Sequence, residues 1–390
     1  MTSKSPPATP KVYGWCPGAL RPMMSGDGLV VRIRAPLGRL SQAQAEAIAA
    51  LSRQYGNGLI DLSARANLQL RGISAETHDA VVAGLKAQGL LDQDAATESR
   101  RNILLAPFWR EGDVSHRIAH SLERGLLAAK DLQLPGKFGF VVDTGAEPLL
   151  QNCATDIRIE RSGTDILLVA DGSQLGRPVT VETAAQEAIE LARWFLDQGG
   201  APSGRGRMHA LLSRRAAPAA HSSPRSSTAP QPTLGHTAVG QLVGLEFGQI
   251  TAEAFATLAK TGPLRLTPWR MILVEGRRDL AALPGVILDA TDPRLQVRAC
   301  TGAPGCLQAL SATRDLARDL APFVPEGQTL HISGCAKGCA HPGPAPLTLT
   351  ATSTDTFDLI HHGKASDHPF KETLSASALR TAPQILTEGC

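Results

Sequence analysis

The segment RACTGAPGCLQAL, residues 298–310, and the segment ISGCAKGCAHP, residues 332–342, together hold four of the chain's seven cysteines. Cys300 and Cys306 form a C-x5-C pair, and Cys335 and Cys339 form a C-x3-C pair. Between them, LQALSATRDLARDLAPFV has Leu and Ala at helical spacing and QTLHIS has the pattern of a short strand, so two loops bring two thiols each. Structural zinc takes tighter knuckles, whereas an iron–sulfur cube accepts looser spacing. Gly305, Gly334 and Gly338 each precede a cysteine, and a residue without a side chain lets backbone N–H groups approach anionic sulfur. Cys306 is expected at the N-terminus of the following helix, where the dipole favours thiolate. Buried free thiols are the plain alternative. Spacing and glycine placement favour a [4Fe-4S] cluster over zinc, and the Gly/Pro-bounded pairing disfavours simple core cysteines. Cys16, Cys153 and Cys390 stand alone and are read as structural or incidental.

Outside this region the chain has the composition of a folded protein large enough for several cores, with 390 residues of which 43% are hydrophobic. Its 39 basic and 36 acidic residues are scattered, which argues against a nucleic-acid tail or a membrane-surface helix. The opening MTSKSPPATP lacks the apolar core of a signal peptide, and no apolar run is long enough to span a bilayer. A cytoplasmic protein with neither nucleic acid nor membrane as partner is expected.

Toward the N-terminus, IDLSARANLQLR (residues 60–71) alternates strictly and is expected to form one strand. Its polar face would carry Asp61, Ser63, Arg65, Asn67, Gln69 and Arg71, hydrogen-bonding chains without Lys or Glu. Upstream, GDGLVVRIRAP gives another strand, then a helix opening at Ser41 with Gln44 as capping-box partner and ending at Gly56. The same order returns near residue 240, in VGQLVGLEFG, TAEAFATLAKTG and PLRLTPWRMILVEG, with Pro268 breaking the last segment. This is a diverged internal repeat. An α/β stretch follows each copy, and a Ser/Pro/Ala-rich segment of linker composition joins the halves.

These features resemble the sulfite and nitrite reductase superfamily, on WCPGALRPMMSGDGLVVRIR, YGNGLIDLSARANLQLRG, SRRNILLAP, LPGKFGFVVD, RLTPWRMILV and both cysteine motifs. The resemblance implies an α+β fold with two pseudo-symmetric ferredoxin-like half-domains plus an α/β [4Fe-4S]/tetrapyrrole-binding domain. Its expected boundaries are a flexible N-terminus at 1–15, half-domains at 16–95 and 237–281, α/β domains at 96–200 and 282–390, and a linker at 201–236. It also implies that Cys300, Cys306, Cys335 and Cys339 hold the cluster. Arg65, Arg101 and Lys137 fall where the reductases grip the carboxylates of sirohaem, with Asn67 and Gln69 on the same face as Arg65. Where the reductases carry the second Lys of their K-F-K motif, this chain has Gly139, which puts sulfite or nitrite binding in doubt.

Within the superfamily the resemblance is to the oxygen-dependent branch of aerobic cobalamin biosynthesis. That branch implies precorrin-3A, itself a uroporphyrinoid, and O2 as substrates. Electrons would come from a separate NADH-dependent donor, since no G-x-G-x-x-G follows a strand here. It further implies a mononuclear non-haem iron whose ligands are not evident. His331 and His341, which bracket the C-x3-C loop, receive no assignment. A sirohaem-dependent sulfite or nitrite reductase and a zinc-stabilised tetrapyrrole-binding protein are the alternative readings. Internal twofold repetition is compatible with a monomer, because each half can cover the other's sheet edge.

Overall fold

The computed structural model describes residues 16–218, 220–276 and 279–388. The N-terminal stretch 1–15, expected to be flexible, lies outside the described residues, as does Cys390. The chain forms two compact units. Among the described residues, one comprises 16–23 and Leu29–Leu288, and the other comprises Met24–Gly28 and the chain from Asp289 onward. No helix among the described residues is long and apolar enough to cross a membrane.

In the first unit, helix Gln42–Tyr55 opens on the expected capping box. Ser41 Oγ accepts from the Gln44 N–H at 3.2 Å and Gln44 Oε1 accepts from the Ser41 N–H at 3.0 Å. Its counterpart Ala252–Ala259 is capped by Thr251. Residues 60–71, expected as one strand, form a hairpin of Leu59–Leu62 and Leu68–Ile73. The chain reverses between Ser63 and Asn67, closed by Ser63 N–H to Asn67 O at 2.9 Å and Ala66 N–H to Ser63 O at 3.0 Å. Ala66 takes the left-handed φ of 53° usually left to Gly or Asn. A turn without Gly or Pro preserved the alternation and hid the reversal. The second copy does the same: Leu264–Leu266 and Met271–Glu275 flank Arg270 at φ 61°.

The two copies exchange strands. Gln249–Thr251 of the second pairs with Leu59–Leu62 of the first, placing Ile250 opposite Ile60. Reciprocally, Arg39–Leu40 of the first pairs with Leu264–Leu266 of the second, placing Leu40 opposite Leu264. Each half thus closes a sheet edge of the other, and one continuous apolar core runs through both, including Ile33, Ile48, Leu70, Phe255 and Ile272.

Both α/β portions follow one plan. In the first, Ile103–Leu105, Phe140–Asp143 and Ile157–Ser162 are parallel neighbours, after which Asp165–Ala170 and Leu175–Val179 run antiparallel. In the second, Val297–Ala299, Leu330–Ser333 and Ala345–Ser353 are parallel, and Thr356–Gly363 and Lys371–Ser375 are antiparallel. Helices Val114–Ala128 and Ala184–Asp197 bury Ile118, Leu122, Ile189 and Phe195 against the first sheet's core.

The segment 201–236 is a correction to the linker expectation. Helix Met208–Leu212 buries Met208 and Leu211 in the first α/β core, and Ser223–Pro224 adds a strand beside Leu175–Val179. Arg225 forks onto the buried Glu160 carboxylate at 2.6 and 2.9 Å. Composition suggested a spacer, but a few apolar and basic side chains suffice to dock it.

Candidate functional site

The hairpin tip carries Arg65, half-buried, whose Nη1 donates to the carbonyl of Lys137 at 2.6 Å. Lys137 itself is exposed, on the turn that enters strand Phe140–Asp143. Two further cations belong to the same cluster. Arg32, on strand Gly28–Ile33, and Arg207 both act electrostatically on Arg65, whose guanidinium burial and then the Arg207 charge hold below its usual value. Arg207 is held by Asp156, at 2.8 and 3.1 Å from its Nε.

Cys16 lies among these groups. Burial alone would push its thiol up, but Arg32, Arg65 and Lys137 together hold it below the ordinary thiol value. Its segment is anchored by the buried Glu98 carboxylate, which accepts from the N–H groups of Ala19 at 2.5 Å and Leu20 at 3.2 Å and from Arg34 at 3.0 Å.

Arg32, Arg207 and Cys16 were missed from sequence. Arg32 could have been found as the cross-strand neighbour of Gln69, once the hairpin was recognised.

The remaining expected residues have different surroundings. Gln69 spends its Oε1 on Arg32, accepting at 2.7 and 3.2 Å, and so positions that cation. Asn67 is buried with its Nδ2 unpartnered, beside a narrow cavity also lined by Arg34 and Arg101. Arg101 departs from the expectation of a carboxylate-gripping arginine. It is 8% exposed, its Nε and Nη2 bind Asp92 at 2.7 and 2.9 Å, and Nη1 binds Glu123 at 3.0 Å. The charge of Arg101 is neutralised internally. Arg71, expected on the same polar face, is also buried, paired with Asp61 at 3.0 Å.

Gly139 is buried. A Cβ there would stand 2.6 Å from Asn102 Nδ2, which donates to the Phe138 carbonyl at 3.0 Å. The backbone at Gly139 is tied on both sides, its N–H to Asp156 at 3.1 Å and its carbonyl to the Asp156 N–H at 2.8 Å. No side chain fits at this position without displacing Asn102.

In the second unit the thiols follow the ends of two adjacent parallel strands. Cys300 follows Val297–Ala299, and Gly334 and Cys335 follow Leu330–Ser333. The Cys300 N–H bonds the Ile332 carbonyl at 3.2 Å, and the Gly334 N–H donates to Cys300 Sγ at 3.2 Å, as the glycine placement predicted. Cys306 does not open a helix. The chain first turns back, with the Leu310 N–H on Gly334 O at 2.7 Å, and helix Arg314–Leu320 begins only later. Ser25 Oγ and the Gly26 N–H both reach the Gly305 carbonyl, at 2.7 and 3.3 Å, bracing the C-x5-C loop.

Burial pushes the Cys339 thiol up to about 11, with Lys337 opposing and the thiols of Cys300, Cys335 and Cys306 adding to the rise. Cys335 is also raised, by burial first and, among the smaller causes, by Cys300 and Cys306. Cys335 and Cys339 thus each sense the other thiols, while no three His, Cys, Asp or Glu side chains among the described residues are grouped to grip a single ion. Four neighbouring thiols with a backbone N–H donating to Cys300 Sγ are a donor set that fits an iron–sulfur cluster.

A model of the nitrite/sulfite reductase ferredoxin-like half domain matches residues 21–88. Among solved structures, the NirA protein of Mycobacterium tuberculosis superposes with a TM-score of 0.60 over 91% of this chain and 79% of that one, at 16% identity. A ferredoxin–nitrite reductase of Synechococcus elongatus is 24% identical over 94% of this chain and 86% of its own length. Fold and repeat thus define a protein of the nitrite/sulfite reductase class. A precorrin-3B synthase from Sinorhizobium sp. is 32% identical over 91% of this chain and 84% of that protein. The chain belongs to the precorrin-3B synthase family.

Proposed function

We propose that this chain oxygenates precorrin-3A. One atom of O2 enters at the C20 meso carbon and the ring A acetate closes as a γ-lactone. The other atom leaves as water, with two electrons and two protons supplied through a separate NADH-dependent donor. The observation that carries the reading is the gathering of Arg32, Arg65, Lys137 and Arg207 in one cluster of a precorrin-3B synthase family member. Acetate and propionate arms pair with guanidinium and ammonium groups through charge-assisted hydrogen bonds. Asn67 and Gln69 flank the cluster, Gln69 by orienting Arg32.

The packing at Gly139 supports a macrocycle as substrate over a haem-bound anion, because a second lysine would have to displace Asn102. Cys300, Cys306, Cys335 and Cys339 would hold a [4Fe-4S] cluster, which supplies single-electron transfer when bound. A mononuclear non-haem iron belongs to the same reading, with no ligands assigned to it. The exchanged strands support a monomer.

The test is incubation of anaerobically purified protein with precorrin-3A, isotopically labelled O2 and a reducing system, followed by mass analysis. One labelled oxygen in a lactone product is expected. Sirohaem absorption bands with turnover of sulfite or nitrite, and an unchanged precorrin, would overturn the reading.

A further inference from the structure

The two α/β portions share one hydrogen-bond register at the end of their parallel strands. In the second, the Cys300 N–H bonds the Ile332 carbonyl at 3.2 Å; in the first, the Ala106 N–H bonds the Val142 carbonyl at 3.0 Å. Ala106 therefore stands where Cys300 stands, and Gly145 where Cys335 stands, two residues after the corresponding strand residues Asp143 and Ser333. Neither Ala106 nor Gly145 carries a thiol, and the edge they form lines a cavity of about 320 Å³. The carboxyl ends of parallel strands are where open α/β sheets take ligands.

The cavity wall is preformed. Arg265 donates to the carbonyls of Pro107 at 2.7 Å and Trp109 at 2.5 Å and lies 4.0 Å over the Trp109 ring. Asp143 lines the cavity and is 1% exposed. Its Oδ2 accepts from the N–H groups of Leu149 at 2.6 Å and Leu150 at 2.7 Å, but its Oδ1 has no partner. A buried carboxylate oxygen without a donor is costly unless a ligand supplies one. Burial pushes this carboxyl up to about 6, consistent with a missing donor. Around it, Asp113 and Glu147 outnumber Arg161 in charge, and Ala106, Phe108 and Leu149 supply an apolar surface.

We propose that this edge of the first α/β portion is a second ligand site. It takes a small organic cation with an apolar body and N–H donors, an aryl amidinium or ammonium, anchored on Asp143 Oδ1 where the sister portion carries its cluster thiols. The site is independent of the precorrin reading.

Isothermal titration of the full chain with benzamidine, and with neutral benzamide as its near-isostere, tests it. Benzamidine is expected to bind the wild-type protein about tenfold or more tightly than benzamide, the worth of a charged hydrogen bond. Asp143→Asn is expected to erase that difference, and Ala146→Trp, a change at an exposed lining residue, to abolish binding of both. Absence of benzamidine binding to the wild-type protein, or equal affinity in wild type and Asp143→Asn, overturns the proposal. Should Asp143→Asn fail to fold, undiminished binding in Ala146→Trp does the same.

Discussion

Arg65 and Lys137 are joined by a single hydrogen bond, 2.6 Å from the arginine Nη1 to the lysine carbonyl, across 72 residues of chain. The bond fixes the first repeat's hairpin tip to the turn that enters the first α/β portion, so two cations from separate elements share one position. Arg65→Ala is expected to remove both a carboxylate partner and this tether. Binding of a uroporphyrinoid, followed by fluorescence quenching, should weaken by about tenfold or more, with iron and sulfide content unchanged. Equal affinity in the variant would mean that the hairpin tip is an outer surface.

Cys335→Ser should lose the cluster. The expected readout is a fall in iron and labile sulfide to near zero and loss of the broad visible absorption, with the unit from Asp289 onward melting earlier. Unchanged iron and sulfide would contradict the ligand assignment.

At Gly139 the close approach of Asn102 predicts a steric penalty. Gly139→Ala should destabilise by about 1–3 kcal/mol in denaturant melts, the cost of overpacking a closed site, and Gly139→Lys should cost more. Combining Gly139→Ala with Asn102→Ala should recover part of the loss.

Asp143 carries a pH signature. Burial first, with Glu160 adding to it, raises its carboxyl to about 6 against the opposing Leu149 and Leu150 N–H groups and Arg158. The folded state thus holds this proton more tightly than the unfolded chain does. The associated stability is present in acid and lost as pH rises through about 4 to 6. Asp143→Asn should be more stable than wild type by up to about 3 kcal/mol at pH 8, with no gain at about pH 4. Melts across that range check the sign.

A fourth stability test concerns Glu275, which serves two guanidiniums. Arg39 forks onto it at 2.7 and 2.9 Å and Arg265 binds at 2.6 Å. Glu275→Gln should cost about 3 kcal/mol, because the largely buried Arg265 loses its paired carboxylate. It should also loosen the Pro107–Trp109 wall, which intrinsic Trp fluorescence would report.

Much of the fold was legible before coordinates. The capping box at Ser41 and strand Leu330–Ser333 each rest on local rules of spacing and capping that tertiary structure did not override. The hairpin at 60–71 was not legible, because Ser63–Asn67 kept the period of a strand while bending in the left-handed region at Ala66. Residues 201–236 were misread because composition does not show that Met208 and Leu211 find a core. Likewise, Arg101 carries the family's motif yet folds onto Asp92 and Glu123, contacts no motif can announce. At the thiols the pairing was legible and the local path was not. The turn bringing Leu310 to Gly334 depends on a neighbouring strand, so Cys306 lost its expected helix.

The exchanged strands have a further consequence. Asp61 and Arg71 on one hairpin correspond to Arg265 and Glu275 on the other, with acid and base transposed, while Gln249 supports Asp61 at 2.8 Å as Arg39 supports Glu275. An ancestor holding one copy would have lent its short strand to a twin and borrowed one in return, making it an obligate symmetric pair. Within one polypeptide the two copies need not match, and the transposed charges show that here they do not.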